Sequence, residues 1–230
     1  MSYPQEILDA AREIMDRYPE GKQRSALLPM LHLVQSHDGY VKPEGIAFCA
    51  EQIGITKAQV AAVSTFYTMY KREPTGDFLV SVCTNSLCDV MGGQRVFDTL
   101  REYLGVDHDE TTADGKITLE HAECMAACDN APAMTVNYEF FDSTDPASAL
   151  TLVKSLQSGD RPEPTRGAPL CTLKEISRQL AGWADDREAG LAGPAATEAT
   201  LAGARLAAEA GVTAPTIDPE VSLVKKEDAS

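Results

Sequence analysis

No stretch of the chain approaches the roughly 18 consecutive apolar residues that a membrane-spanning helix needs, so direct membrane insertion is not expected. The opening MSYPQEILDAAREIMDRYPE lacks the basic start and apolar run of a secretory leader. The expectation is a cytoplasmic chain whose thiols stay reduced. Basic charge is scarce, with 20 Lys/Arg against 35 Asp/Glu and a formal net charge of −15. That balance excludes nucleic acid and anionic lipid surfaces as direct partners. A glycine-rich dinucleotide loop, a phosphate loop and a nucleophile–base pattern are also missing, so any nucleotide is expected on another chain.

What is present is two cysteine pairs near the middle. Cys83 and Cys88 lie in VCTNSLCDVMGG, and Cys124 and Cys128 lie in EHAECMAACDNAP, 35 residues further on. Two clustered pairs of thiolates are what a tetrahedral-sulfur metal site requires, and iron in a [2Fe–2S] unit takes two terminal thiolates per metal. An oxidised site of that kind carries a charge of −2, so it needs donors. Backbone N–H groups of the turns around residues 84–87 and 125–127 are expected to supply them, and Gly92-Gly93 lets the backbone come close where the next helix begins. Spacing alone leaves a structural zinc site and a thiol redox pair as alternatives. The segment 77–160 holds 4 Lys/Arg and 15 Asp/Glu, so most of the acidity surrounds the cysteines. Such a surface suits docking to a basic partner, and equally suits simple solubility.

Hydrophobic periodicity gives an α+β fold in three segments: a helical N-terminal module (1–76), a compact β-α-β-β-β-α domain (77–160), and a linker with a largely disordered alanine-rich tail (161–230). Helices are expected over 4–17, to about Gln35 with a late start or kink at Pro29, over 43–53, and from the capping-box pattern Thr56-Lys57-Ala58-Gln59 to about Tyr70. Strands are expected at 78–82, 116–120 and 133–136, the last turning back through Asn137-Tyr138 into 139–141. Helices are expected at 92–104 and 146–157. Both cysteine pairs then follow strands, on loops at one end of a sheet. Residues 160–169 contain Pro162, Pro164 and Pro169 and read as a linker, followed by a short helix over 172–183. Residues 184–214 hold twelve alanines and few large apolar side chains, too little to bury. Transient helix is expected there near 195–210.

Several other residues attract a sharp reading and a bland one. Cys49 reads as a small buried hydrophobe, and Cys171 as an incidental free thiol in the linker. His121, three residues before Cys124, invites a mixed ligand set, but four cysteines already satisfy the site. His32 reads as structural. Phe66, Tyr67 and Tyr70 read as core, with part of that face available to a partner.

The stretches VCTNSLCDVMGG and ECMAACDNAP, with RSALLPMLHLVQSHDGYV and VSTFYTMY upstream, closely resemble the small [2Fe–2S] subunit of respiratory NADH–quinone oxidoreductase (complex I), over about residues 5–157. The resemblance implies a thioredoxin-like ferredoxin domain behind a helical module. It implies cluster ligation by Cys83, Cys88, Cys124 and Cys128, and docking onto the subunit that binds FMN and NADH. It implies one-electron exchange with that flavin, off the main route to quinone, in a complex peripheral to the cytoplasmic side of the inner membrane. Equivalent subunits serve NAD-linked hydrogenases and formate dehydrogenases, which keeps those complexes as an alternative. A zinc-bound interaction module is the alternative of a different class. This chain departs from the family at Ala126, where glycine is usual.

Overall fold

A computed structural model describes residues 3–184 and 196–213 of the chain. The N-terminal part is four helices. The first, α1 (Gln5–Asp16), buries Ile7, Ala10, Ala11 and Ile14 along one stripe. A 3₁₀ turn at Gln23–Ala26 leads into α2 (Leu27–Asp38), so Pro29 falls in its first turn, where no helical donor is lost. That is the late start the sequence predicts. The helix α2 buries seven of its twelve residues, Leu27, Met30, Leu31, His32, Leu33, Val34 and Gln35, and is therefore the axis of the module. Next come α3 (Pro43–Ile53), opened by Pro43, and α4 (Lys57–Phe66), opened by the Thr56/Gln59 capping box.

The fourth helix stops four residues before the predicted end. Tyr67 turns to an extended backbone, and the chain folds back so that its polar groups find partners in α2. The Tyr70 hydroxyl donates to the Leu28 carbonyl, and the Lys71 N–H donates to the buried Gln35 side chain. Tertiary bonds outweigh one more helical turn here. A second consequence is that Phe66 and Tyr67 are exposed; of the three aromatics expected in the core, only Tyr70 is buried.

The sheet has strand order β2-β3-β1-β4-β5, built from β1 (Phe78–Cys83), β2 (Glu110–Thr111), β3 (Ile117–Ala122), β4 (Met134–Val136) and β5 (Glu139–Phe141). The two-residue edge strand β2 is an addition to the sequence reading. The central pair β1 and β3 is parallel, while β4 and β5 continue antiparallel through a turn in which Asn137 and Tyr138 both have positive φ. Phe78, Val80 and Val82 of β1 point to one face, where they pack with Ile117, Leu119, Met134 and Val136 against α6 (Gly93–Leu104) and α7 (Pro146–Ser158). These are the two helices and the four longer strands that the periodicity predicts.

The segment after residue 160 is more than a linker. Leu79, on the opposite face of β1, is covered by Cys171, Leu173 and Ile176, the last two on α8 (Leu173–Leu180). Arg166 forms two 2.8 Å bonds to Asp142 and lies over the Phe140 ring. The Asn137 side chain accepts from the Leu79 N–H and donates to the carbonyls of Asp77 and Cys171. Gln35 of α2 donates to the Ser177 hydroxyl at 3.1 Å, and the guanidinium groups of Arg17 and Arg178 both lie over the Trp183 ring. Residues 161–183 therefore strap the sheet to the helical module, and Cys171 is a buried part of that strap. Prolines here shape an extended path and do not signal looseness.

Residues 196–213 are described by themselves as α9 (Glu198–Glu209), the helix expected near 195–210, with no buried residue. The rest of the tail expected to be disordered, 185–195 and 214–230, lies outside the described residues.

His32 gives the helical module a sensitivity to acid. Its ring is buried 4.8 Å from the Tyr70 ring, its Nδ1 has no hydrogen-bond partner among the described residues, and burial lowers its pKa from 6.5 to about 4. Between those values the unfolded chain takes up a proton that the folded chain refuses. Stability contributed by the neutral ring is therefore lost as pH falls from about 6.5 towards about 4, by roughly 3 kcal/mol in all. Urea unfolding of the wild type and of His32→Phe across that range should show the wild type losing the difference; parallel slopes would refute it.

Candidate metal centre

The register of the central pair brings the cysteines together. Because β1 and β3 run parallel with Cys83 opposite Ala122, their carboxyl ends coincide, and the chain leaves both strands at the same end of the sheet. Cys83 is the last residue of β1, and its N–H donates to the Ala133 carbonyl at 3.0 Å. Cys88 is on a short helix, α5 (Ser86–Val90), which the sequence reading leaves as loop. Asn85 caps α5 with its side-chain oxygen and uses its amide to reach Glu123 at 2.7 Å, tying the first cysteine loop to the second. The N-cap position of an asparagine before a cysteine turn is the sequence signal for this link.

The two pairs differ in setting. Cys83 and Cys88 are 2% and 3% exposed, packed with Ala127 and Ala133, while Cys124 and Cys128 are exposed. The Sγ atoms of Cys124 and Cys128 stand 3.8 Å apart. Two thiolates bound to one tetrahedral metal at about 2.3 Å are separated by about 3.8 Å, so this pair has the edge length such a metal requires. Burial, above all, pushes the Cys88 thiol up to about 11, with the neighbouring Cys83 adding to it. The hydrogen bond and charge of Cys124 likewise raise Cys128. Like charges crowd each other within each pair, and a cation placed there would relieve both.

Donors and space also fit. The Ala126 N–H points at the Cys124 sulfur at 3.4 Å. Gly93, the first residue of α6, comes so close to the first loop that a Cβ would press on the carbonyl oxygens of both Cys83 and Cys88. The first is a donor of the kind expected of the turn at 125–127, and the second is the close approach expected of Gly92-Gly93. The His121 ring is edge-on to Phe97 and to the His108 ring, while its backbone N–H donates to His108 Nδ1. Cys49 lies in the helical core, where burial raises its thiol to about 12, and it takes no part in the site. Among the described residues no three histidine, cysteine or carboxylate side chains converge as a single-ion site demands.

Ala126 holds φ of 57°, a left-handed conformation that costs a residue with a Cβ about 1–2 kcal/mol. Ala126→Gly is expected to raise the stability of the chain by about 1 kcal/mol, net of the extra freedom glycine gains when unfolded. Urea titration measures it, and a loss of stability would contradict the conformation described.

Beside the second loop, a cleft of about 870 Å³ lies between residues 64–75 and the polar face of the sheet, with Cys124 and Met125 among the residues that line it. Lys71 and Ser81 both bond to Glu120 in its floor, a partly buried ion pair that sequence reasoning does not find.

A family model described as thioredoxin-like [2Fe-2S] ferredoxin matches residues 11–157. The chain is 55% identical over 219 residues to the E subunit of the NADH-quinone oxidoreductase of Mycobacterium tuberculosis, covering 93% of this chain and 85% of that one. It is 33% identical over 156 residues to NADH-quinone oxidoreductase subunit 2 of Thermus thermophilus, covering 67% and 86%. A solved NAD+-reducing [NiFe]-hydrogenase in the air-oxidized state shares the fold, with a TM-score of 0.52 at 20% identity over 58% of this chain and 23% of that one. A 219-residue alignment is longer than the span 11–157, so the likeness to the mycobacterial protein extends beyond the family domain. With the parallel strands, the paired thiols and these matches together, the chain belongs to the thioredoxin-like [2Fe-2S] ferredoxin family.

Proposed function

We propose that the chain is the electron-carrying small subunit of an NADH–quinone oxidoreductase. Cys83 and Cys88 would hold one iron of a [2Fe–2S] cluster, and Cys124 and Cys128 the other. The observation that carries this is the register of β1 with β3, which delivers two separate thiol pairs to one end of the sheet, one of them at a metal-edge spacing of 3.8 Å. Two pairs of thiols match the two terminal thiolates that each iron of such a unit takes.

When bound, such a cluster supplies a one-electron couple. The chain's own contribution is to place and tune that group. Buried Cys83 and Cys88 anchor it in the domain, the Ala126 N–H donates toward sulfur, and the start of α6 lies against the first loop. Exposed Cys124 and Cys128 lie on the side open to a redox partner. The 55% identity to the mycobacterial oxidoreductase component supports a flavin- and NADH-binding subunit as that partner, over the hydrogenase relatives that share the fold. A place on the cytoplasmic side of the membrane follows from that assignment.

The test is anaerobic purification followed by metal and sulfide analysis. About two iron and two acid-labile sulfide per chain, with an EPR signal appearing on dithionite reduction, is the expected result. A colourless protein with one zinc would overturn it.

A further inference from the structure

The parallel ladder of β1 and β3 ends at Cys83 and Ala122, so beyond it strand pairing no longer holds the two cysteine loops together. One backbone bond follows, from the Thr84 N–H to the Ala122 carbonyl, and it is already long at 3.4 Å. The next link is made by side chains. Asn85 Nδ2 donates to Glu123 Oε2 at 2.7 Å, and these two residues stand just after Cys83 and just before Cys124. The other end of the same amide accepts from the Ser86 N–H at 2.8 Å, where it caps α5, the helix that carries Cys88. A carboxylate needs a donor and a backbone N–H needs an acceptor, so the two partners fix the amide in one orientation. A single side chain thus reaches the segments that carry Cys83, Cys88 and Cys124.

We propose that Asn85 and Glu123 are positioning residues for the metal centre, and that their bond sets the gap between the two thiol pairs. The inference rests on the functional reading above and adds two residues that hold no metal themselves. The second loop needs such a tie because Cys124 and Cys128 are exposed and the core does not grip them. Ala127 anchors the middle of that loop by packing with Cys83 and Cys88. The Asn85–Glu123 bond anchors its entry, so the loop is held at two points. The bond is exposed and fills no core, so its contribution falls on local opening of the loop and not on global unfolding. Glu123 also brings a negative charge next to an anionic site, which disfavours the addition of an electron. The Asn85 amide satisfies that carboxylate from the first loop, so the charge and the spacing are fixed by one contact.

The experiment exchanges donor and acceptor in the full chain, purified anaerobically, and measures the rate of iron release to excess EDTA together with the midpoint potential. Asn85→Asp keeps an oxygen to cap α5 but sets two carboxylates against each other, and Glu123→Ala removes the acceptor. Each is expected to release iron about fivefold faster or more. Glu123→Gln keeps an acceptor for Asn85 and removes the charge, so release should stay within about twofold of the wild type while the midpoint moves to a more positive potential. In the Asn85→Asp/Glu123→Gln double variant the carboxylate at position 85 accepts from the amide at position 123, and the pair recovers its single negative charge. Its release should return to within about twofold of the wild type, and its midpoint should fall back from that of Glu123→Gln. Metal-free forms of all four should unfold at the wild-type urea concentration. Wild-type release from both Asn85→Asp and Glu123→Ala would overturn the positioning role. A double variant that releases iron as fast as Asn85→Asp would also overturn it, as would urea midpoints that fall in step with the iron loss. A wild-type chain that purifies with one zinc and no iron would instead overturn the functional reading beneath it.

Discussion

Alanine in place of any one of Cys83, Cys88, Cys124 or Cys128 is expected to lower iron per purified chain at least about tenfold, because one metal of the pair is left with a single thiolate. The two pairs should separate in a second measurement. Cys124 and Cys128 are exposed, so their removal takes little packing with it, and the metal-free variants should unfold within about 0.5 kcal/mol of the metal-free wild type. Cys83 and Cys88 are buried beside Ala127 and Ala133, so Cys83→Ala and Cys88→Ala should each cost about 1 kcal/mol as well as the metal. Cys49→Ala and Cys171→Ala reverse the pattern: both side chains are buried away from the site, so stability should fall and iron should remain. His121→Ala should keep its iron too, since that ring packs edge-on against Phe97 and the His108 ring. Full iron in Cys124→Ala, or iron lost in His121→Ala, would replace the all-cysteine ligand set with a mixed one.

The sheet, its two covering helices and the placement of both cysteine pairs are legible in the sequence because each depends on local pattern. A short apolar run at 78–82 and alternation at 116–120 show strands, and a strand followed by a cysteine turn places the thiols at a strand end. What cannot be read depends on distant pairs. Gln35 and Ser177 meet across 142 residues, and nothing local to either announces the contact. The end of α4 is set by Gln35 and Leu28, not by any breaker at Tyr67. The strap reads as linker because Pro162, Pro164, Gly167 and Pro169 fall close together at its start, yet the sequence holds a clue to its role. All six residues of β1 are buried, and an apolar Leu79 between Phe78 and Val80 requires cover on the second face. Leu173 and Ile176 provide it. The helix α5 is hidden for a different reason, since five residues carry too little period to reveal it.

Gly93→Ala is expected to be the most damaging single-methyl change near the site. The objection to alanine is space: a Cβ would press into the Cys83 carbonyl oxygen and stand 2.9 Å from that of Cys88 and 3.1 Å from the Cys88 carbonyl carbon. All of these are backbone atoms, so no side chain can swing aside. Either α6 lifts off the sheet, exposing Val96, Phe97 and Leu100, or α5 moves and carries Cys88 away from Cys83. The first path costs about 3 kcal/mol or more in overpacking and lost burial, and the second costs the ligand geometry. Gly92→Ala is the informative companion. Gly92 has φ of 109°, so alanine there is strained, but its Cβ would meet only the mobile end of Arg95, at 2.9 Å. That variant should lose about 1–2 kcal/mol and keep its iron. Thermal unfolding together with iron per folded chain separates the cases. If the close backbone approach at Gly93 builds the site, Gly93→Ala loses iron and Gly92→Ala does not. Equal iron in the two would mean that the start of α6 merely neighbours the cysteines without shaping them.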